Sequence, residues 1–122
     1  MTLRRQQVGK AGEEAARGYL EERGYRVVDT NFRCLYGEID IIALRGGRLI
    51  FVEVRTRTGS SFGTPAESIT PEKLGRLRKS ALYYMKSRYG QEISCRFDLI
   101  AIKMKRESLA TTALRHYRGI IG

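Results

Sequence analysis

Two runs rich in β-branched residues, Gly37 to Leu44 and Leu49 to Arg57, are joined through Arg45-Gly46-Gly47-Arg48. A tight primed turn needs positive φ at both central residues, and a Gly-Gly pair supplies it without strain, so a β-hairpin is expected to turn at Gly46-Gly47. Pairing Arg45 with Arg48 fixes the register beyond the turn: Asp40 faces Glu53, and Glu38 faces Arg55. Side chains alternate along a strand. Glu38, Asp40, Glu53, Arg55 and Arg57 are therefore expected on one face, and Ile39, Ile41, Ala43, Ile50, Val52 and Val54 on the other, as core. A four-residue loop would keep this pairing, whereas an odd loop length would separate the two acids.

Opposed side chains in a sheet have Cβ atoms about 4.5–5.5 Å apart, a distance at which like charges destabilise the pair. A solvated face with the acids paired to Arg55 and Arg57 would account for alternating charges. It accounts poorly for two acids opposed next to Ile42, Leu44, Leu49 and Phe51. Facing carboxylates commonly signal a divalent metal or a shifted pKa, and the pattern favours a metal site built on Asp40 and Glu53.

A chain of 122 residues is long enough for one domain with one core, and no repeat or long polar linker divides it. Lys and Arg outnumber Asp and Glu by 23 to 13, for a net charge of +10. That excess suits a polyanion, nucleic acid before membrane lipid. No apolar run approaches the ~18 residues of a membrane span, and the start Met-Thr-Leu-Arg-Arg lacks a signal-peptide apolar region, so a cytoplasmic protein is expected. Cys34 and Cys95 have neither Cys-x-x-Cys spacing nor a histidine cluster nearby, which argues for reduced packing thiols and against zinc.

Apolar and small residues at Val8, Ala11, Gly12, Ala15, Ala16, Tyr19 and Leu20 predict an amphipathic helix over residues 6–23, ended by Gly24. Glu13 borders its buried stripe and is the helical acid placed to join the metal site; Glu14 points to solvent. A first strand is expected over Tyr25–Phe32, followed by the hairpin and a loop of turn formers from Thr58 to Ser68 that contains Phe62 and can reach anything bound at the charged end. Thr70 caps a second helix with Pro71 in its first turn, Leu74, Leu77, Ala81, Tyr84 and Met85 inside, and Gly90 as its stop. Lys73, Arg76, Arg78, Lys79, Lys86 and Arg88 cover its remaining surface, and between Glu72 and Glu92 there is no acid, a pattern suited to phosphate neutralisation. A fourth strand is expected over Ser94–Ile102, with Asp98 salt-bridged to Arg96 or to an arginine of the hairpin. An edge strand is expected over Leu109–Tyr117, with His116 as an exposed phosphate contact at most.

Helix, strand, hairpin, helix and strand, with Asp40 followed after twelve residues by Glu53-Val54-Arg55, resemble the α/β restriction-endonuclease-like core and its PD-(D/E)xK signature, in the spacing of archaeal Holliday-junction resolvases. Gly12-Glu13, Gly24-Tyr25, Asn31, Gly37-Glu38-Ile39-Asp40, Phe51 to Arg57, Phe62-Gly63, Lys73 and Arg96-Phe97-Asp98 resemble the bacterial YraN-like family of candidate endonucleases. The resemblance implies an α-β-β-β-α-β core with a central mixed sheet flanked by helices, occupying the whole chain as one domain. It implies a Mg²⁺- or Mn²⁺-dependent endonuclease acting on DNA, more than RNA, of branched or single-stranded character, and working as a homodimer as related resolvases do. Asp40, Glu53 and the Val54 backbone carbonyl would hold the metal, with Glu13 reaching it directly or through water. Arg55 would act on the phosphate, with Arg57, Lys73, Arg76 and Lys79 along the nucleic-acid backbone. Arg55 stands where the signature has lysine, and arginine supplies charge but no base. The alternative is a nucleic-acid-binding module on a nuclease scaffold.

Overall fold

The computed structural model describes residues 2–59 and 69–121; most of the loop expected over Thr58–Ser68, Phe62 and Gly63 included, lies outside them. The chain runs α1 (Thr2–Glu22), β1 (Arg26–Cys34), β2 (Gly37–Arg45), β3 (Arg48–Thr58), α2 (Pro71–Tyr89), β4 (Cys95–Met104) and β5 (Thr111–Tyr117). The expected α-β-β-β-α-β order is present, with a fifth strand added. Strands follow chain order in one mixed sheet, β1-β2-β3-β4-β5. Only β3 and β4 run parallel, because only they are joined by a helical crossover long enough to reverse the chain's direction twice.

The helices cover opposite faces of the sheet. Ala16 and Leu20 of α1 pack with Tyr25, Ile41, Ala43, Ile50, Val52, Ile100 and Ile102. On the other face Leu77, Ala81, Tyr84 and Met85 of α2 pack with Ile39, Ile42, Leu49 and Phe51. The α2 helix starts and stops at the residues expected: the Thr70 side chain accepts from the Lys73 N–H, and Gly90 closes the helix at φ 75°.

Gly46 and Gly47 take φ 59° and 74°, the primed turn expected, and the register Ile41↔Val52 to Arg45↔Arg48 follows from it. The pairing ends there. Asp40 and Glu53 are not a ladder pair, and Ile39 lies on the α2 face with Ile42, not with Ile41 and Ala43 as alternation would place it. Both departures fall beside Asn31 of β1, which adopts a left-handed φ of 51° between the pairs Thr30↔Ile41 and Phe32↔Ile39; the register shift of the β1–β2 ladder itself lies farther along, between Val27 and Asp29.

Helix α1 lies very close to β3. A Cβ on Gly12 would stand 2.0 Å from the Thr56 Oγ1 and 3.0 Å from its Cβ, so only glycine allows this approach. The other end of α1 rests on a buried polar network. Arg96 donates twice to Asp98, through Nε and Nη2, both at 2.9 Å, as the sequence led us to expect. Gly119 N–H donates to the same carboxylate, and His116 Nε2 donates to Asp98 Oδ2 at 2.7 Å. The His116 side chain is 4% exposed, which corrects the expectation of an exposed phosphate contact: its ring faces Tyr19 and Tyr25, with Nδ1 at 3.1 Å from the Tyr19 hydroxyl. The pattern of Arg115 and Arg118 around it misled because His116 alternates inward on β5, opposite Ile100. Burial alone would raise the Asp98 pKa, but the hydrogen bonds from His116, Arg96 and Gly119 outweigh it and hold the group at about 2.

Two outcomes are expected on mutation. Gly12→Ala gains about 1 kcal/mol of helix propensity but loses about 1–3 kcal/mol to overpacking, a net destabilisation that Thr56→Ala in the same chain, which removes the Oγ1 and Cγ2 contacts but keeps the Cβ, relieves in part in a urea titration. Asp98→Ala strands Arg96 and costs about 3–5 kcal/mol. With its pKa depressed in the folded state, Asp98 contributes stability above its unfolded pKa that is lost as the pH falls toward about 2. Acid titration of the wild type against Asp98→Ala measures that difference.

Candidate functional site

Strand β3 leaves the hairpin ladder after Val52 but stays paired with β4 as far as Thr58. Beyond Val52 its edge toward β2 therefore needs other partners. Continued pairing would make Val54 and Ile39 a hydrogen-bonded pair, since such pairs alternate along an antiparallel ladder. Instead the Val54 N–H donates to Asp40 Oδ2 at 2.8 Å. Because the N–H and C=O of one strand residue point to the same edge, the Val54 carbonyl also faces the gap that Asp40 occupies.

That gap opens into a cavity of about 250 Å³ lined by Gly37, Glu38, Asp40, Glu53, Arg55 and, from α2, Lys73, Leu74, Arg76 and Leu77, with Ile69 and Ile120 at its margin. Asp40 is only 8% exposed. Burial and the neighbouring Glu53 charge push its pKa up to about 7, against the pull of the Val54 N–H. Burial raises Glu53 as well, opposed by Arg55 and Lys73. The two carboxylates are thus close enough to repel and too enclosed for water to screen the repulsion.

Arg55 Nη2 lies 3.2 Å from Glu53 Oε2, while its Nε is buried without a hydrogen-bond partner among the described residues. The guanidinium accordingly has one side tied to an acid and a donor to spare. Glu38 meets Arg33 at 3.0 Å and not Arg55, although Glu38 and Arg55 line the same cavity. Lys73 and Arg76 join the cavity as the cationic surface of α2 predicted; Lys79 lies farther along that helix, in a separate groove with Tyr36 and Tyr83. Arg57 follows Arg55 on β3, half-buried and outside the cavity lining.

Glu13 is half-buried at the edge of the α1 stripe, as its spacing indicated. It lines a second groove with Val54 and Thr56 on the α1 side of β3, and Asn31 Nδ2 donates to its Oε1 at 2.9 Å. Its charge nevertheless contributes to raising both Asp40 and Glu53, so it stands near the acid pair without entering their cavity. Among the described residues no three acidic, histidine or cysteine side chains converge as a complete metal cage. Sequence reasoning missed Ile120, Asn31 and Gly37 as parts of this region. Asn31 carried a usable signal, since asparagine tolerates a left-handed backbone in a strand where other residues do not.

The strain between the acids is measurable. Asp40 has a folded pKa raised from 3.8 to about 7, so its contribution to stability is complete below its unfolded pKa and is lost as the pH rises through about 7. Asp40→Asn keeps an acceptor for the Val54 N–H and removes the charge. Its melting temperature is expected to match the wild type near pH 4 and to exceed it by several degrees at pH 8 in metal-free buffer. Equal values at both pH values would mean that the carboxylate is not strained.

The sequence model of the family described as "Uncharacterised protein family UPF0102" matches residues 12–102, a span that contains α1 from Gly12, the whole hairpin, α2 and most of β4. A UPF0102 protein of Moorella thermoacetica is 47% identical over 107 residues, covering 88% of this chain and 89% of the relative. One from Syntrophus aciditrophicus is 42% identical over 99 residues, 81% of this chain and 78% of the relative. One from Desulfitobacterium hafniense is 43% identical over 121 residues, 98% of this chain and all of the relative. The match covers every residue of the cavity except Ile120, and the chain belongs to the UPF0102 family, the YraN-like group that its motifs resemble.

Proposed function

We propose that this protein is a metal-dependent endonuclease of the PD-(D/E)xK type that hydrolyses phosphodiester bonds in DNA of branched or single-stranded character. The observation that carries the reading is the acid pair: Asp40, buried and pushed up to about 7 by burial and by Glu53, at the floor of a cavity whose rim is cationic. Such a pair is unfavourable for a sheet unless something positive relieves it.

The donors fit Mg²⁺ or Mn²⁺. Asp40, Glu53 and the Val54 carbonyl offer hard oxygen ligands, which suit ions that keep several waters and complete their shell with substrate phosphate. Glu13, on the far side of Val54, would act through one of those waters. When bound, the ion supplies Lewis acidity and a bound water of lowered pKa. The chain's own residues bind and orient the phosphate. Arg55 lines the cavity, keeps a buried Nε–H without a partner among the described residues and, through Nη2, holds Glu53 in place. Lys73 and Arg76 extend the positive rim along α2, where they neutralise the adjacent phosphates, with Arg57 beyond Arg55 on β3.

Arg55 itself favours a second reading. A guanidinium stays charged and cannot act as a base, so a module that binds nucleic acid without cutting it would retain this residue unharmed. No helix among the described residues is long and apolar enough to cross a membrane.

Cleavage assays over single-stranded, duplex, flap and four-way-junction DNA, and RNA, with Mn²⁺ or Mg²⁺ decide between the two. The nuclease reading expects cuts in branched or single-stranded DNA that chelation abolishes and that Asp40→Asn reduces by a factor of about 100 or more. Silence from the wild type with nucleic-acid binding intact, and activity only in Arg55→Lys, would instead mark a binding module on a decayed site.

A further inference from the structure

The separate groove that holds Lys79 has a volume of about 560 Å³, is lined by Tyr36, Lys79, Leu82, Tyr83, Lys86 and Ser87, and has no part in the chemistry proposed above. Its aromatic rings are held open to solvent. Tyr83 is 45% exposed and Tyr36 39% exposed, and beside them Leu35 is 82% exposed. Tyr36 and Tyr83 meet with ring centroids 6.4 Å apart at 65°. Behind Tyr83 lies Phe32, at 6.3 Å, and Phe32 in turn packs edge-on against the buried Tyr84 at 5.0 Å. The exposed rings are thus braced from the core, which removes much of the entropy that would be lost on binding.

The hairpin tip makes the exposure hard to explain by folding alone. Cys34 pairs with Gly37, so Leu35 and Tyr36 form the two-residue loop between β1 and β2. Such loops favour Asn, Asp and Gly. A leucine and a tyrosine there contribute little to the turn and leave apolar surface in water.

The charges name the occupant. The groove carries two lysines and no acid. Lys79 and Lys86 stand seven residues apart, two helical turns or about 10 Å. Lys73, Arg76 and Lys79 recur every three residues on the same helix, which makes them neighbours on one surface and joins the acid-pair cavity to the groove. Gly37, next to Tyr36, lines that cavity. A row of cations leading to braced aromatic faces matches a single strand, whose phosphates the lysines neutralise and whose unstacked bases lie on the rings. A duplex offers no free base faces to such a groove.

We propose that Tyr36 and Tyr83, flanked by Lys79 and Lys86, form a stacking platform for unpaired nucleobases of a single-stranded segment entering or leaving the acid-pair cavity. The proposal takes its nucleic-acid occupant from the function proposed above but does not depend on catalysis. It assigns the preference for single-stranded or branched substrate to the β1–β2 hairpin tip and α2.

Binding is measured by fluorescence anisotropy in EDTA, where no cleavage occurs, with three labelled probes: a short oligothymidylate, an abasic phosphodeoxyribose strand of equal length, and a blunt duplex. The wild type is expected to bind oligothymidylate at least tenfold tighter than the abasic strand. Tyr36→Ala and Tyr83→Ala should each weaken oligothymidylate binding by roughly 5- to 100-fold, the range of one lost base stack, and leave the abasic strand unaffected. Tyr83→Phe should keep the wild-type affinity, and Lys86→Ala should weaken oligothymidylate and abasic strand alike while flattening the salt dependence. Equal affinity of the wild type for base-bearing and abasic strands, or unchanged oligothymidylate binding in both alanine variants, overturns the platform. So does a wild-type dimer, seen by sedimentation, that Tyr36→Ala dissolves without changing oligothymidylate affinity, because the groove would then be an interface between copies. A wild type that prefers oligothymidylate but cuts nothing removes the nuclease reading and keeps the platform, whereas one that cuts without base preference does the reverse.

Discussion

The hydrogen bond from the Val54 N–H to the Asp40 carboxylate replaces the main-chain partner that an uninterrupted hairpin would supply, and the site follows from that exchange. It lets β2 and β3 part after Ile41 and Val52 without leaving a buried N–H unsatisfied, which would cost about 1–3 kcal/mol. It also draws a carboxylate into the interior of a sheet and aligns the Val54 carbonyl beside it. A regular ladder would have placed Asp40 and Glu53 in direct opposition with no gap between the strands. The parted ladder creates a cavity and keeps both acids at its floor.

The rest of the fold holds the parting strands still. Strand β3 is paired with β4 along its whole length from Leu49 to Thr58, so the segment that carries Glu53, Arg55 and Arg57 is anchored on one edge even though the other is open. On one face, the bare Gly12 lets α1 settle on Thr56; on the other, Leu77, Ala81 and Tyr84 clamp α2 against Phe51 and Ile39. The two buried aspartates then behave in opposite ways. Asp98 is fully satisfied by Arg96, His116 and Gly119 and titrates far below its usual range. Asp40 has a carboxylate for a neighbour and titrates far above it. Burial is common to both, so the difference lies in the partners: one aspartate belongs to the scaffold, the other is left wanting a cation.

The fold was largely legible from the chain because its signals are local. Gly46-Gly47 specified the turn, Thr70-Pro71 and Gly90 bounded α2, and the spacing of Ala16 and Leu20 identified the buried stripe of α1. The turn's register was legible only as far as Ile41 and Val52; Asp40 and Glu53 line one cavity although they are not opposed in the ladder as that register implied. What the chain did not reveal depended on distant contacts. Strict alternation put Ile39 with Ile41, but the two fall in opposite cores where β2 passes the left-handed Asn31 of the neighbouring strand. His116 looked basic and exposed among arginines because its partners, Asp98 and Tyr19, come from β4 and α1. Tyr36 and Tyr83 became a pair only when the hairpin tip met α2.

One consequence of the parted ladder concerns observation more than chemistry. A main-chain amide in a sheet normally bonds a carbonyl, whose charge never changes. The Val54 amide bonds a carboxylate instead. Its proton therefore senses directly whether that oxygen is ionised, neutral or shared with a cation. In a protein with no tryptophan to report on the cavity, the resonance of this single amide is an intrinsic probe of what occupies the space between the strands.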